Sequence, residues 1–317
     1  MKLFLAFALV LATSAGAQPY PSKSIRLIIP FPAGSTPDIV GRALGGKLSD
    51  AWRQPVIVDN RTGAGGNIGT AEAAHAPPDG YTLLVSINGP IAVNKALYKD
   101  LPYDPQRDLQ PISLLASGAQ VLAVHPSVPS NDLRQFVDYV RSNPDKLSYG
   151  SVGAGSASHL TMELLKSQAQ LAIVHVPYRG FPPVVQDLLA GQIQASFAIL
   201  PAVLPQIKAA RLKGLAVTSP RRSALAPEIP TVAEQGFAQF DATAWIGLLA
   251  PARLPKEIAD RLGGETQRIM RLPEVREMLG RQGFEVIGGT PEQFAAFIRT
   301  ETEKWTRIVK ATGAKAE

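Results

Sequence analysis

The sequence predicts an α/β protein of two lobes with a ligand cleft between them. Three observations carry this reading. Short β-branched apolar runs alternate with helical patterns of 3.6-residue spacing, which implies parallel sheet covered by helices. The 317 residues exceed one usual domain of about 100–200 residues. Two loops rich in glycine and hydroxyls each join a strand end to a helix start, where open α/β sheets bind ligands.

The first unit begins at Ile25-Arg26-Leu27-Ile28-Ile29-Pro30, a strand, followed by a turn and a helical pattern of Ile39, Val40, Ala43, Leu44 and Leu48. Val56-Ile57-Val58 repeats the strand signal, Gly63 to Gly69 leads into an Ala-rich helix ending near Ala76, and Asp79-Gly80 turns into a strand at 81–86. A second set of strands is expected at 121–125, 147–150, 173–176, 195–200 and 215–218, with helices at 132–141, 158–168 and 183–189. A return strand follows at 244–249, then helices at 256–271, 274–282 and 291–309. Phe294, Phe297, Ile298, Trp305 and Ile308 fall on one face of the last helix and read as core. Runs near 109–124 and 241–250 join the two sets. The expected division is therefore 18–118 plus 241–317 for one lobe and 119–240 for the other.

Composition excludes several classes. Lys2, the apolar stretch 3–12 and the small residues Ala15 and Ala17 have the form of an export signal cleaved after Ala17, so a periplasmic location is expected. No later stretch is apolar enough to span a bilayer. The absence of cysteine removes disulfides, thiolate metal sites and a cysteine nucleophile. A net charge of +6 without Lys/Arg runs, the longest cluster being Arg221-Arg222, argues against nucleic acid. His75, His125, His159 and His175 show no metal spacing, and neither metal nor cofactor is expected. No G-x-S-x-G elbow or carboxylate pair appears, so no catalytic residue is assigned. The rival reading is an exported hydrolase using Ser156 or Ser158 with His159.

Candidate binding residues come from three loops. In the first, Phe31, Pro32, Ala33, Gly34, Ser35 and Asp38 precede or open a helix, where Ser35, Thr36 or Asp38 could cap and free N–H groups attract an anion. The second runs from Tyr149 to His159 and contributes Ser151, Gly155, Ser156, Ser158 and His159. The third, 175–180, offers Tyr178 to pack on an organic ligand and Arg179 to pair with a carboxylate. An ordinary structural ion pair is an equal reading of Arg179. Asn88 and Ala198 complete the set. Gly63-Ala64-Gly65-Gly66-Asn67-Ile68-Gly69 lacks the offsets of a dinucleotide fingerprint.

These motifs together resemble the periplasmic receptors of tripartite tricarboxylate transporters, the Bug family. The resemblance rests on Pro30-Phe31-Pro32 with Gly34 and Asp38, on 60–66, Pro78-Asp79-Gly80-Tyr81-Thr82-Leu83, Leu101-Pro102-Tyr103-Asp104-Pro105, 149–159, 175–180 with Asp187-Leu188-Leu189, and Pro230-Thr231-Val232-Ala233-Glu234. It implies a two-lobed Venus-flytrap fold, type II-like. It also implies a small organic carboxylate gripped by both loops, partly through water, and integral-membrane transporter subunits as partners of a monomer. Two departures stand out: Pro32-Ala33-Gly34-Ser35 where the family has Pro-Gly-Gly, and Ala198 where many relatives carry aspartate. The second implies a ligand without an ammonium group. A ligand sensor serving a signalling partner is the remaining alternative.

Overall fold

The structure, a computed structural model, describes residues 20–313 other than 239 and 241. The expected export segment at 1–17 and residue 241 of the expected lobe boundary lie outside the described residues. In chain order the first elements are β1 (Ile25–Ile29), α1 (Thr36–Trp52), β2 (Val56–Asn60), α2 (Asn67–Ala74) and β3 (Thr82–Ile87). A π-helical turn (Gly89–Val93) then runs into α3 (Asn94–Leu97), followed by α4 (Pro105–Asp108) and β4 (Leu109–Gly118). The middle of the chain forms β5 (Gln120–Val124), α5 (Leu133–Ser142), β6 (Ser148–Ser151), α6 (Ala157–Ala169), β7 (Val174–Pro177), α7 (Phe181–Leu189), β8 (Ala195–Ile199), α8 (Leu200–Lys208) and β9 (Lys213–Val217). The chain returns through β10 (Ala244–Pro251), α9 (Lys256–Met270), α10 (Pro273–Arg281), β11 (Phe284–Val286) and α11 (Pro291–Thr312).

The strands form two sheets, a six-stranded one in the order β11-β4-β10-β3-β1-β2 and a five-stranded one in the order β7-β6-β8-β5-β9. β1 is parallel to both neighbours, and Ile25, Leu27, Ile28 and Ile29 are wholly buried, as a central strand covered on both faces requires. The two sheets share one plan. Leaving β11 aside, each runs second strand, first strand, third strand, an antiparallel strand just arrived from the other sheet, then a fourth. That inserted strand is β10 in one sheet and β5 in the other.

The run expected to join the lobes near 109–124 is itself strand. β4 ends at Gly118 and β5 starts at Gln120, so a single residue carries the chain between sheets. Pro111 makes this stretch look like a breaker, since proline cannot donate to a ladder. Here it pairs with Leu249 beside a register shift, and β11 reaches only residues 116–118, leaving β4 open on that side at Pro111.

Gln120 ties the two crossings together. Its Nε2 donates to Thr161 Oγ1 (2.6 Å) and to Ala242 O (3.1 Å), and its backbone N–H donates to Thr218 Oγ1 (3.0 Å). The last helix then packs across both lobes. α11 starts in a capping box, Thr290 accepting from Gln293 N and Gln293 from Thr290 N, and stops at Gly313 in the left-handed region. It lies against β4, the 89–93 turn and α6. Phe294, Ile298, Trp305 and Val309 join one apolar cluster with Ile28 and Leu84 of one sheet and Leu122 and Phe197 of the other. The expected aromatic stripe is thus core. No described helix is long and apolar enough to cross a membrane.

Within this junction Trp245 Nε1 (2.9 Å) and Trp305 Nε1 (3.0 Å) both donate to Glu301 Oε2, a side chain only 3% exposed. Lys304 pairs with the other oxygen. Replacing Glu301 with leucine strands two buried indole N–H groups. The expected loss is about 2–6 kcal/mol of unfolding free energy, at about 1–3 kcal/mol per unsatisfied group. Urea denaturation of Glu301→Leu checks it, and an unchanged midpoint would show that these bonds are dispensable.

Candidate functional site

The first loop lies between the C-terminal end of β1 and the start of α1. Its shape is set by Asp38, 2% exposed, at the third helical position. The carboxylate accepts from Gly34 N (2.8 Å), Arg42 Nε (2.9 Å) and Asn60 Nδ2 (2.9 Å). Asn60 also donates to Phe31 O (2.9 Å). Burial alone would raise the Asp38 pKa, but the bonds from Arg42, Gly34 and Asn60 outweigh it and hold it low. Asp38 is therefore an anchor of the loop, with its charge already answered. Ser35 occupies the N-cap position, yet its hydroxyl makes no capping bond and is buried without a partner. Gly34 has φ +78°, a conformation glycine adopts freely. The amides of Thr36 and Asp38 are left outside the helical ladder.

The second loop repeats the arrangement in the other sheet, between β6 and α6. Ser156 is the N-cap and accepts from His159 N (3.4 Å), while its hydroxyl donates to Gly153 O (2.6 Å). Ser158 Oγ accepts from Val152 N (3.1 Å) and lies 3.1 Å from Ser156 Oγ. Ser151 Oγ is hydrogen-bonded to His175 Nε2 (2.6 Å) and accepts from Gly153 N (3.1 Å). These hydroxyls fold the loop on itself. The amides of Ala157 and Ser158 remain outside the ladder, as in α1.

His159 is 4% exposed and its Nδ1 accepts from Gly155 N (3.1 Å), which places the proton of the neutral ring on Nε2. Its ring stacks on His175 at 4.3 Å, and His175 stacks on Tyr149 at 4.8 Å. Burial lowers the His159 pKa; Glu163 opposes the shift and Lys166 adds to it. Among the described residues neither Ser156 Oγ nor Ser158 Oγ bonds a ring nitrogen of His159, so the pairing of Ser156 or Ser158 with His159 is not formed.

The two loops meet. A Cβ added at Gly89 would lie 2.7 Å from Gly155 O, and one at Gly155 would lie 2.8 Å from Asn94 Oδ1. A Cβ at Gly65 would lie 3.3 Å from Ala154 O. Gly66 in turn is wedged between Phe31 and Pro90, each 2.8 Å from where its Cβ would be. The glycine-rich segment 63–69, dismissed as a nucleotide motif, thus joins the first loop to the seam, with Gly63, Gly65 and Gly66 all at positive φ. Asn88, at the end of β3, is 2% exposed with its Oδ1 unpartnered, and the buried hydroxyl of Ser86 beside it also lacks a partner. Sequence reasoning missed Gly65, Gly89 and Asn94. The signal was there in the Asn88-Gly89-Pro90 run, which reads as a turn but opens a helical turn instead.

Three expected residues stand apart from this seam. Ala198 is buried in the apolar layer under α7 and α8, opposite Val121 and clustered with Val184 and Leu188. The Tyr178 ring packs against that layer and its hydroxyl donates to Asp187 Oδ2 (2.6 Å), which with burial pushes its pKa up to about 12. Arg179 is exposed, and no ion pair of it occurs among the described residues. No cluster of three potential metal-binding side chains occurs among the described residues.

Comparison with known proteins agrees with this architecture. The model of the tripartite tricarboxylate transporter family receptor matches residues 40–314. The chain belongs to this receptor family. Protein BugT of Bordetella pertussis is 36% identical over 314 residues, covering 99% of this chain and 96% of BugT. Among solved structures, one described as a periplasmic transporter is 40% identical with a TM-score of 0.85, covering 94% of this chain and all of that one. The R. palustris protein Rpa4515, solved with adipate, is 31% identical with a TM-score of 0.86, over the same 94% and all of its own chain. MatC from Rhodopseudomonas palustris, with bound malate, is 29% identical with a TM-score of 0.83, covering 92% of this chain and all of MatC. The two-lobed periplasmic binding fold is therefore the fold of this receptor.

The histidine geometry gives a pH dependence. A protonated His159 would point a second donor at Gly155 N–H inside a buried stack. Because its folded pKa lies below the ordinary value of about 6.5, the unfolded state binds the proton first, and stability is lost as pH falls below that value. In His159→Asn the Asn oxygen replaces Nδ1 as acceptor without titrating. Thermal denaturation at about pH 7 and about pH 5 should show a larger fall for the wild type than for the variant. Equal falls would contradict the assignment.

Proposed function

We propose that this receptor captures a small organic carboxylate between the first and second loops and presents the closed form to membrane subunits of a tripartite transporter. The observation that carries the reading is an open helix N-terminus in each sheet, the second of them in a loop seated against Gly65, Gly89 and Asn94. α1 and α6 each stand at the C-terminal end of a parallel strand, each with first-turn amides outside its own ladder. Such amides, with the helix dipole behind them, favour an anion without a cationic side chain. The carboxylates bound by the adipate and malate proteins support the same ligand class.

In this mechanism the lobes open transiently to admit the anion, amides and ordered water take its carboxylate, and reclosure restores the seat of Gly155 against Gly89 that the structure shows without ligand. Water-bridged contacts are nearly as favourable as direct ones. The only carboxylate built into the first loop, Asp38, is saturated by its donors and is not free to pair with an ammonium. The ligand is accordingly one without an ammonium group. We divide the lobes at 118/119 and 240/241, a division that the sheet memberships of β4, β5, β9 and β10 support. The mature monomer begins at Gln18 in the periplasm and acts without turnover.

A thermal-shift screen of the mature protein tests this against adipate, malate, citrate, aromatic acids and glutamate. At 100-fold excess over its dissociation constant, a true ligand stabilises by about 2.7 kcal/mol. An upward shift with one or more acids lacking an amino group is expected. No shift with any carboxylate, or a shift with glutamate alone, would overturn the reading.

A further inference from the structure

The motif Leu101-Pro102-Tyr103-Asp104-Pro105 contributes nothing to either loop directly, yet its tyrosine is deeply buried, 5% exposed. Its hydroxyl is shared between Pro90 O (2.9 Å) and Asn67 Oδ1 (3.0 Å). Asn67 Oδ1 also accepts from Asn94 Nδ2 at 2.6 Å, and Asn94 Nδ2 reaches Gly65 O at 3.4 Å. Asn67 and Asn94 are 3% and 0% exposed.

This chain of bonds fixes the orientation of the Asn94 amide. The oxygen and nitrogen of an asparagine are distinguished by their partners. Two acceptors, Gly65 O and Asn67 Oδ1, face the nitrogen, so the oxygen must point the other way. There it is buried without a hydrogen-bond partner. What it faces is the second loop: a Cβ at Gly155 would be 2.8 Å from it and 3.3 Å from Leu97 Cδ1. A buried amide is costly to orient toward nothing, and here the cost is met by bonds made behind it.

The geometry points to Asn94 as a positioning residue for capture, held by Tyr103 and Asn67, that sets how closely the loop of one lobe seats on the other. The inference rests on the capture reading only in giving this seating its purpose. Pro90, clamped by the same hydroxyl, directly follows Gly89, on which Gly155 O rests. One tyrosine hydroxyl therefore steadies both lobe-1 surfaces that the second loop touches, and Asn67 links them to the glycine segment at 65. Gly89 offers an independent handle. Its backbone is outside the left-handed region, and the nearest obstacle to a side chain there is Gly155 O. Alanine at 89 is thus compatible with the lobe itself and opposed by the seam.

Hydrogen exchange in the ligand-free mature protein tests this without knowledge of the ligand. The variants are Tyr103→Phe, Asn94→Ala and Gly89→Ala. The expected result is faster exchange at residues 152–160, in the lobe that none of these substitutions occupies. The factor should be about fivefold, what one lost neutral hydrogen bond corresponds to. Rates in β5, β8 and β9 should be unchanged. A residue that merely stabilises its own lobe would not move those distant amides. Faster exchange confined to residues 89–104, or no change anywhere, would overturn the proposal. Should Asn94→Ala fail to fold, Gly89→Ala carries the test, since it reaches the seam without touching the buried bonds. The carboxylate screen is a separate experiment, so failure here leaves that reading standing.

Discussion

The arrangement of this protein depends on one close approach: a backbone carbonyl, Gly155 O, set against Gly89 of the other lobe with no room for a Cβ between them. A carbonyl oxygen can occupy the place of a Cβ only where that residue is glycine, as at position 89. α1 follows β1 of one sheet, and α6, just after Gly155, follows β6 of the other. Each loop is a helix start with first-turn amides outside its own ladder, and in the proposed capture those amides serve the oxygens of one carboxylate.

Holding the seam in place is the work of the rest of the chain. The crossing from β4 to β5 is a single residue, Gln120 bonds it to the second crossing at Thr218 and Ala242, and α11 lays one apolar stripe across both lobes. The two sheets repeat the same strand order, each completed by a strand from the other. This gives each lobe a parallel edge whose C-terminal ends face the cleft, so two loops of unlike sequence end in like positions. The side chains near the ligand loops spend most of their polar capacity on the loops themselves. Asp38 is satisfied by three partners, and the hydroxyls of Ser151, Ser156 and Ser158 by their own backbone. Capture as proposed uses preorganised backbone rather than exposed charge, which limits the cost of ordering on binding.

Much of this was legible in the sequence, for identifiable reasons. Ile25 to Ile29 and the 294–308 stripe follow simple periodicity, and the loops with glycine and hydroxyls fall between a strand end and a helix start as expected. The β4 strand was not legible because Pro111 mimics a breaker that only its pairing at a register shift reconciles. The roles of Gly65, Gly89 and Asn94 depend on contacts between segments far apart in the chain, with Ala154 and Gly155, which no local pattern encodes. Tyr178 and Ala198 illustrate the converse. Both sit near the loops in sequence logic, but the pleat turns Ala198 into the apolar layer, and Asp187 takes the tyrosine hydroxyl. The shared strand order of the two sheets also left no sequence repeat, since only topology is common.

The most direct test of the central claim is a crystal structure of the mature protein with a carboxylate it binds. The account predicts the carboxylate between the first turns of α1 and α6, within hydrogen-bond distance of amides or ordered waters from both loops, with Gly155 seated on Gly89. A ligand lying instead in the basic surface pocket of Lys95, Lys99 and Arg107, or held by the Arg179 side chain while the lobes stand apart, would contradict it.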